Sequence, residues 1–581
     1  MIHSAERFPI LGISKAEHLV AKEEIGMIGG LADHIHSQLL YEESFRLGPV
    51  ADTDVDVVEP EETKFSWCRT ARHGRPTTVP RYIRSGSCPG RAERGGCVHG
   101  IRGRDGLSAQ DSSIGARMGE LSDAEDHLYR TVARLAERGP FVEVMAQAAA
   151  GLSIHYDGHE TTFQAPARLR GAVFRAWCRT GWTETSVSGL DPGSLRFAES
   201  ALERVLSHRP AHDAPPGESS TERIDKETPM HRPMQELDEE YLRNLARDAF
   251  GWTTGIPDIH ETQVQISWRI DHRLYLNSTG ARCNQRICRV RAAILPVAME
   301  GGHAESDRYI HGGVGGSKLL NSVNPENARR AANRARALLH AKSPPAGRLT
   351  VLMAPSVTGY FAHESFGHGA EADQFVRNRS YLRPLLGQVV GPEILTIVDN
   401  GAYPGAWSEI YCDDEGHPAQ RTVLVDRGRF TGALHDRDTA AALGALPTGN
   451  ARRSDFLSRS LVRMTNTYVE PGDSSFEELV KEARNGVLLE SGAAGIEDPQ
   501  GGQIQLKARM GHLIENGEVT DIVSSMALSG HVLEFLKSIR GVSGKKDFEL
   551  DTGSCAKGRA DFLPNAAGGP YLLGTAVVGR A

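Results

Sequence analysis

The sequence feature that most restricts the fold is the density of strand-like segments from Arg348 onward. Two of these segments share one form, in which apolar strands flank a two-residue turn that ends in glycine. The turns are Arg427-Gly428 and Asn516-Gly517. Asn-Gly between apolar strands is a strong β-hairpin signal, because both turn residues must adopt positive φ angles. We therefore predict an α+β fold whose C-terminal part is β-rich and mainly antiparallel.

The first 120 residues differ from the rest of the chain. Glycine, arginine, serine and aspartate dominate there, and apolar periodicity is thin outside a short predicted helix over residues 16–40. Such a segment buries too little apolar surface to offset the conformational entropy that it loses on ordering. We predict that residues 1–120 are a largely disordered extension, or translated sequence upstream of the true start.

Folded sequence is expected to begin near Ser122, where Ser122-Asp123-Ala124-Glu125 forms a capping box. A span rich in proline, glutamate and serine, residues 210–230, is predicted to be a linker. These boundaries divide the rest of the chain into an N-terminal α+β domain, a central α+β domain and a C-terminal β-rich domain, at residues 121–209, 231–345 and 346–581.

Composition and charge exclude some classes of protein. A net charge of −8 and an isoelectric point near 6.3 offer no general argument for a nucleic-acid partner. No apolar run is long enough to span a bilayer, and the N-terminus lacks the order of a secretory signal. Eight scattered cysteines do not form the pattern of a disulfide framework. We predict a cytoplasmic protein with no membrane and no nucleic-acid partner.

Two histidines and a glutamate lie close together in the segment His363-Glu364-Ser365-Phe366-Gly367-His368, which follows an apolar strand-like run over residues 349–354. Two neutral imidazoles can hold a zinc ion, and the adjacent glutamate can accept a proton from the attacking water. These residue types fit a zinc hydrolase. An ordinary amphipathic helix that carries two unrelated histidines explains the same six residues equally well.

The spacing of the two histidines sets a geometric condition on the zinc interpretation. Histidines four residues apart lie about 40° apart around an ideal helix, whereas the spacing of His363 and His368 places them about 140° apart. Side chains at that angle are too far apart to share one ion. An extra residue in the turn would make them converge, and Gly367 makes such a bulge inexpensive. We therefore predict a helical bulge at this segment.

A third ligand has to come from elsewhere in the chain, and Cys555 is the candidate. Glycines at positions 553 and 558 allow a close backbone approach, and Lys557 would favour the thiolate. One thiolate and two imidazoles form a zinc site that can leave a fourth position open. The alternative is a buried cysteine that serves only as a small apolar side chain.

The histidine segment also carries a family resemblance. Residues 363–373, HESFGHGAEAD, resemble the signature of the TldD/PmbA (TldD/TldE) metallopeptidases, and specifically of their catalytic TldD type. The resemblance covers roughly residues 122–581 and is strongest from 348 onward. Further blocks are similar to this family in the same order along the chain, at residues 413–418, 447–453, 463–468, 501–503, 513–517 and 553–555.

The resemblance implies a zinc metallopeptidase with an HExxxH motif, in which His363, His368 and Cys555 bind Zn²⁺ and Glu364 is the general base. It implies a two-layer α/β N-terminal unit joined to a β-rich C-terminal unit. Members of this family hydrolyse flexible or unfolded peptides with zinc-activated water inside the enclosed chamber of a dimer. This chain would accordingly form a homodimer, or a heterodimer with a TldE/PmbA-like paralogue.

Other polar residues lie in or near the resembling blocks. Glu371 and Asp373 are predicted to support a metal-binding histidine or the position of its helix, and a solvated acidic face is the alternative. Donors to a peptide backbone or an oxyanion would come from Asn450, Arg452, Asn466 and Tyr468. For these four residues, hydrogen bonds within turns and sheets are the alternative interpretation.

The chain also departs from the family pattern. Ala372, Ala451 and Ala556 occupy positions where glycine is usual, and residues 559–565 diverge. These departures leave the metal ligands intact and leave the substrate open. Two alternative functions therefore remain: a non-catalytic peptide-binding or regulatory partner subunit, and a tailoring hydrolase for a small peptide-like metabolite.

Overall fold

Long paired strands organise the chain, and short helices cover them. The computed structural model describes residues 120–164, 169–230, 234, 239–557 and 562–581, which all fall in one compact unit. The helices are α1 (Glu120–Ala136), α2 (Pro192–His208), α3 (Glu239–Gly251), α4 (Pro325–Leu339), α5 (Pro355–Ala362), α6 (Ala372–Val376), α7 (Arg437–Leu443), α8 (Phe476–Ala483) and α9 (Val532–Ser538). A π-helical turn, His363–Gly367, continues α5, and 3-10 turns occur at Ser317–Ser322, Arg383–Leu385 and Lys545–Asp547.

The strands follow one another closely from Val142 to Arg580. In the first half of the described chain they are β1 (Val142–Tyr156), β2 (Thr161–Gln164), β3 (Leu169–Cys178), β4 (Gly181–Ser188), β5 (Arg223–Glu227), β6 (Ile259–Asn277), β7 (Arg282–Glu300), β8 (His303–Ser306) and β9 (Tyr309–Val314). They are followed by β10 (Gly347–Met353), β11 (Ile397–Asn400), β12 (Arg421–Asp426), β13 (Arg429–Phe430), β14 (Ala451–Arg452), β15 (Leu461–Val462), β16 (Asn466–Val469), β17 (Gly486–Glu497), β18 (Gln503–Glu515), β19 (Glu518–Val523), β20 (Met526–His531), β21 (Gly541–Val542), β22 (Glu549–Cys555), β23 (Leu563–Gly569) and β24 (Leu572–Arg580).

The first nine strands form one sheet, in the order β4-β3-β1-β6-β7-β5, with β2 beside β1 and with β8 and β9 beside β7. Helices α1 and α2 bury Leu128 and Leu202 against β1 and β3. Helices α3 and α4 bury Leu242 and Ala328 against β6 and β7. The apolar stripes of four amphipathic helices thus cover this sheet, as in a two-layer arrangement.

The predicted domain boundaries fall within this sheet. Strands β1, β3 and β4 come from the predicted N-terminal domain and β6 to β9 from the central one, yet β1 pairs with β6 from Glu143↔Asn277 to Tyr156↔Val264. The predicted linker, residues 210–230, contains β5, which pairs in parallel with β7. The three-domain division stays a prediction. The predictions for residues 1–120, including the helix over 16–40, concern sequence outside the described residues apart from the start of α1.

Sheets of seven and six strands form most of the C-terminal part, and β14 and β15 form a small separate pair. One has the order β10-β17-β18-β20-β24-β21, with β19 beside β18, and the other has the order β13-β12-β11-β16-β23-β22. Most of their pairs are antiparallel, and β10–β17 and β16–β23 are parallel. The predicted α+β class with a mainly antiparallel C-terminal part is confirmed. Both predicted hairpin turns are present, with φ angles of 54° and 81° at Asn516 and Gly517.

Helix α5 lies between these two sheets and positions the histidine segment. It packs on β17 on one side and on β16, β22 and β23 on the other. The approach to β23 is close: a Cβ atom at Gly359 would lie 2.5 Å from the amide nitrogen of Gly568. Because its surroundings are so close, α5 has little freedom to shift, and the turn that follows it is held in place.

The cysteines differ from the sequence-based expectation of no disulfide. Cys283 on β7 is joined to Cys412 in a disulfide, although the two are 129 residues apart. Sequence spacing gave no sign of this pair, because it depends on the packing of β7 against the loop that follows β11. Cys178, Cys288 and Cys555 are free and buried. None of the described helices combines the length and the apolar character needed to cross a membrane, and the cytoplasmic location stays a prediction.

A buried ion-pair network links the N-terminal sheet to the C-terminal part. Glu143 on β1 contacts Arg175 on β3 at 2.8 Å and both terminal nitrogens of Arg437 at 3.2 Å. It also accepts a 2.7 Å hydrogen bond from the Tyr275 hydroxyl, and Glu415 binds the same two arginines. Every charge in this network has an opposite partner within the described residues.

Replacing Arg437 by methionine should therefore destabilise the fold strongly. The substitution leaves the carboxylates of Glu143 and Glu415 buried with one cation fewer, and breaking a buried pair typically costs about 3–5 kcal/mol. Urea denaturation measures the loss in the free energy of unfolding. Arg421→Met is the control, because Arg421 pairs with Glu470 at the surface and should cost no more than about 1 kcal/mol. Equal losses in the two variants would contradict the structural role of the network.

Candidate metal centre

The turn that carries the two histidines is wound as a π-helix. Residues His363–Gly367 form this turn, and the amide of His368 donates to the carbonyl of His363 at 3.2 Å. The bond spans five residues in place of the four of an α-helix, so the turn holds one extra residue. The two imidazoles consequently converge, with ring centroids 4.9 Å apart and planes at 86°. The predicted bulge is confirmed.

Position 367 requires glycine for a different reason from the one that the sequence suggested. Its φ angle is not positive, so backbone freedom is not what requires glycine here. A Cβ atom at this position would instead collide with the sulfur of Met464. The glycine allows the segment before β16 to pack directly against the π-helical turn, which places the two histidines next to that sheet.

Cys555 lies at the end of β22 and joins the histidine pair. Its Sγ is 3.2 Å from Nε2 of His368. One ligand atom from each of His363, His368 and Cys555 lies within 4.8 Å of the others. Strand β22 pairs with β23, and β23 packs on α5, so the sheet brings together residues that are far apart in sequence.

The electrostatics of the three side chains fit a cation site. Burial lowers the pKa of His368, but the Cys555 thiolate and Glu371 outweigh it and raise that pKa well above its usual value. Burial opposes a charged thiol, yet the two imidazoles hold the pKa of Cys555 well below its usual value. The cluster thus stabilises a thiolate beside protonated imidazoles, and a metal ion can replace the protons of these imidazoles. One thiolate and two imidazoles are ligands that zinc accepts.

Glu371 and Asp373 lie behind the histidines, on the side of α6. The carboxylate of Glu371 is fully buried, and its Oε2 is 3.3 Å from Nδ1 of His368 and 3.0 Å from Nζ of Lys557. Lys557 also contacts Asp373 at 2.6 Å. Although burial raises the pKa of Glu371, Lys557 and His368 lower it to about 2. A carboxylate on Nδ1 leaves Nε2 of His368 free to face Cys555.

The surroundings of Lys557 differ from the sequence-based expectation. Lys557 was expected to favour the thiolate of Cys555, but its ammonium group is held by the carboxylates of Glu371 and Asp373. The two imidazoles are the principal charges that favour the thiolate. The lysine therefore acts on the cluster through Glu371, because it fixes the carboxylate that contacts His368.

Glu364 occupies the position next to the cluster, and β17 confines it. The side chain is nearly buried, and within the described part of the chain no hydrogen bond holds its carboxylate. Gly495 on β17 lies against it: a Cβ atom there would be 2.5 Å from Cγ and 2.8 Å from Oε1 of Glu364. The absence of a side chain at position 495 therefore leaves the space that the carboxylate occupies.

Gly495→Ala should displace the Glu364 carboxylate without removing a metal ligand. We expect bound metal to persist while the peptide hydrolysis that the family resemblance implies falls by about 100-fold, since a displacement near 1 Å can have that effect. Metal content and kcat are the measurements. Gly579→Ala on β24 is the matched control, because a Cβ atom there meets no atom within 4 Å. Unchanged kcat in Gly495→Ala would show that the carboxylate tolerates the shift.

The structure adds residues that the sequence patterns did not identify. Glu497, at the end of β17, has a buried Oε2 without a hydrogen-bond partner. Burial, with the nearby carboxylates of Glu364 and Glu371, raises its pKa to about 9 although His368 opposes the shift. Arg463 donates to the carbonyl of Cys555. Arg463 belongs to the resembling block 463–468, which assigned it no role, and no local motif marks Glu497, which reaches the site through β17.

The four predicted substrate-binding residues make hydrogen bonds inside the protein. The amide of Asn450 donates to Asp399 and to the carbonyl of Arg463 at 2.9 and 3.0 Å. Asn466 donates to the carbonyl of Asn400, whose side chain donates to the Tyr468 hydroxyl. Arg452 donates to the carbonyls of Met464 and Pro564. None of the four contacts the histidine–cysteine cluster, and their role in substrate binding stays a prediction.

Two domain families match the chain. Residues 346–578 match the PmbA/TldA metallopeptidase C-terminal domain, and residues 232–339 match the PmbA/TldA metallopeptidase central domain. Together the two matches cover more than half of the chain. The C-terminal match contains the whole cluster of two histidines and one cysteine.

Named relatives and solved structures agree with these matches. A metalloprotease of Methanothermobacter thermautotrophicus is 37% identical over 350 residues, which are 60% of this chain and 76% of the relative. The zinc metalloprotease TldD homolog of Saccharolobus solfataricus is 31% identical over 340 residues, which are 58% and 74%. The structure of TldE from Thermococcus kodakarensis superposes with a TM-score of 0.63 at 18% identity, over 79% of this chain and 100% of that one. The structure of a Thermotoga maritima protein superposes with a TM-score of 0.64 at 21% identity, over 79% of this chain and 100% of that one. The fold is therefore shared with both structures. The chain belongs to the PmbA/TldD metallopeptidase family.

Proposed function

We propose that this chain is a zinc-dependent peptidase that hydrolyses flexible or unfolded peptides, with Glu364 as the general base. The observation that carries the proposal is the convergence of His363, His368 and Cys555 with a nearly buried glutamate beside them. The relative named a zinc metalloprotease supports zinc as the metal. A metallopeptidase needs this set of groups and no further cofactor.

His363, His368 and Cys555 would hold the zinc ion, which would supply Lewis acidity for a water molecule and for the scissile carbonyl. Glu364 accepts the proton of the attacking water and returns it to the leaving amine. Glu371 holds His368 by its Nδ1 and is itself held by Lys557, so the imidazole keeps one tautomer and one orientation. Gly495 has no side chain, and this leaves room for the Glu364 carboxylate beside the three ligands.

The end of β17 offers a place for an extended substrate. Strand β10 pairs with β17 only from Val487 to Leu489, while β17 continues to Glu497 beside β18. No described strand pairs with the other edge of residues 494–497, and Gly495 in this stretch touches Glu364. A peptide added to this edge would run past the general base, with affinity from backbone hydrogen bonds and little side-chain selectivity.

The assembly is part of the proposal. We propose a homodimer, or a heterodimer with a TldE/PmbA-like paralogue, that encloses the site in a chamber. The structure of TldE from Thermococcus kodakarensis has the same fold, which supports a paralogue of that kind as a candidate for the second subunit. An enclosed chamber excludes folded proteins and admits flexible chains.

Incubation with a panel of unstructured peptides tests the proposal. Purified protein, alone and with any co-purifying paralogue, is expected to carry about one zinc ion per chain and to cleave some peptides, which mass spectrometry detects. Loss of cleavage on chelation and its return with zinc would support the metal's role. Peptide binding without cleavage by the zinc-loaded protein would identify a regulatory subunit, and cleavage of small metabolites alone would identify a tailoring hydrolase.

A further inference from the structure

A cavity of about 330 Å³ lies between the N-terminal sheet and the loops of the C-terminal part. Its walls come from β6 and β7, from the loops at residues 407–414 and 452–455, and from the hairpin of β22 and β23. Gly553 and Ser554 line it, and they directly precede Cys555 in β22. The cavity is therefore adjacent along the chain to a candidate metal ligand.

Two buried arginines in this cavity have no acidic partner. Arg289 donates from Nε and one terminal nitrogen to the carbonyls of Trp407 and Glu409, at 2.8 and 2.9 Å. Arg452 donates to the carbonyls of Met464 and Pro564. In the described part of the chain neither guanidinium forms an ion pair with a carboxylate. Their side chains are among the buried charged residues of the fold.

A third arginine of the same cavity, in contrast, forms ion pairs with carboxylates. Arg273 contacts both carboxylate oxygens of Asp414 at 2.8 Å and also pairs with Asp271 at 3.2 Å. These two carboxylates are consequently occupied. Asp455, another acidic residue of the lining, accepts from the amides of Leu457 and Ser458. Asp413, a further acidic residue of the lining, accepts from the amides of Glu415, His417 and Ala451. The acidic residues that line the cavity are committed to these contacts, and none of them forms an ion pair with Arg289 or Arg452.

The surplus charge is energetically significant. Burial, together with the neighbouring arginines, lowers the pKa of Arg289 to about 10 despite Asp271, and burial and Arg289 lower that of Arg452 to about 9. Both guanidiniums are therefore still charged at neutral pH. A buried charge without a counter-ion is costly, and a planar guanidinium binds a carboxylate with charge-assisted hydrogen bonds. An anionic ligand would remove this cost.

We propose that the cavity lined by Arg289 and Arg452 is a specificity subsite that binds a carboxylate of the peptide substrate. The carboxylate belongs either to an aspartate or glutamate side chain or to the C-terminus of the peptide. The inference rests on the proposed peptidase function, since it assigns a substrate class to that site. The volume suits a few atoms of a side chain or chain end and excludes a folded partner.

Matched peptides test the subsite. One pair differs by glutamate against glutamine inside the peptide, and a second pair differs by a free C-terminus against an amidated one. Wild-type protein should favour the carboxylate form of one pair by at least about tenfold in kcat/KM, which corresponds to about 1.4 kcal/mol. The pair that shows the preference identifies the source of the carboxylate. No preference in either pair would overturn the inference.

Substitutions of Arg289 test whether the cavity causes the preference for the carboxylate form. Arg289→Gln should reduce the ratio within the favoured pair to near one, and Arg289→Lys, which keeps the charge, should retain part of it. Arg421→Gln is the control at the surface and should keep the wild-type ratio. Melting temperatures verify folding. If Arg289→Gln does not fold, competition on the wild-type protein decides, because glutarate should inhibit and uncharged glutaramide should not.

A binding measurement distinguishes failure of this inference from failure of the proposed function. Fluorescently labelled versions of the matched peptides are bound to full-length Glu364→Gln protein, and their affinities are measured by anisotropy, which does not require hydrolysis. Tighter binding of the carboxylate form without any cleavage by wild-type protein would reject the peptidase and keep the subsite. Cleavage of both forms at equal rates, with equal affinities, would keep the peptidase and reject the subsite.

Discussion

Glu364→Gln is expected to keep its metal and to lose about 10²–10⁴-fold in peptide hydrolysis, the contribution that a general base usually makes. The amide has the shape of the carboxylate but cannot accept a proton from the attacking water. The metal should remain because Glu364 is not one of the three clustered ligands. Metal analysis and single-turnover cleavage of one peptide, on the same preparation, measure both parts of this expectation.

The control for this substitution is Glu518→Gln, which makes the same chemical change in an exposed hairpin residue. It should leave both hydrolysis and metal content unchanged. Full hydrolysis by Glu364→Gln would show that another group accepts the proton of the attacking water. Loss of metal would instead make Glu364 part of the ligand set.

Cys555→Ala is expected to reduce zinc from about one ion per chain to near zero after dialysis against a weak chelator, and to abolish hydrolysis. The substitution removes the thiolate that lies 3.2 Å from His368 and leaves two imidazoles, which bind zinc far less tightly. When both proteins are metal-free, the pKa of His368 should be lower in Cys555→Ala than in the wild type, because the thiolate is the main group that raises it against burial. Zinc titration followed by a competing chromophoric chelator gives the affinity.

Cys178→Ala is the matched control for this experiment. Cys178 is also free and buried, but it lies at the end of β3 in the N-terminal sheet. Its replacement should leave the zinc content unchanged, so any general effect of removing a buried thiol is separated from ligation. A full zinc complement in Cys555→Ala would reduce Cys555 to a packing residue, the alternative that its sequence leaves open.

Local patterns in the sequence predicted the parts that depend on neighbouring residues. The five-residue spacing of His363 and His368 demanded a bulge, and the structure has a π-helical turn there. Asn516-Gly517 predicted a hairpin, since its backbone angles are set by the two residues themselves. Helix α2 follows local signals of the same kind, since Asp191 caps its first turn and Pro192 begins it.

Tertiary structure alone decided which distant residues meet. Cys555 reaches the histidines because β22 pairs with β23 and β23 packs on α5, and Gly495 and Glu497 reach them through β17. Sheet pairing has no periodicity in sequence that reveals the partner strand, so such contacts are not visible in local patterns. The same reason explains the Cys283–Cys412 disulfide and the position of Arg289 and Arg452 in one cavity, where no described carboxylate forms an ion pair with them. The sequence by itself determined the chemistry of the ligands and the shape of one turn, and the sheets determined what surrounds them.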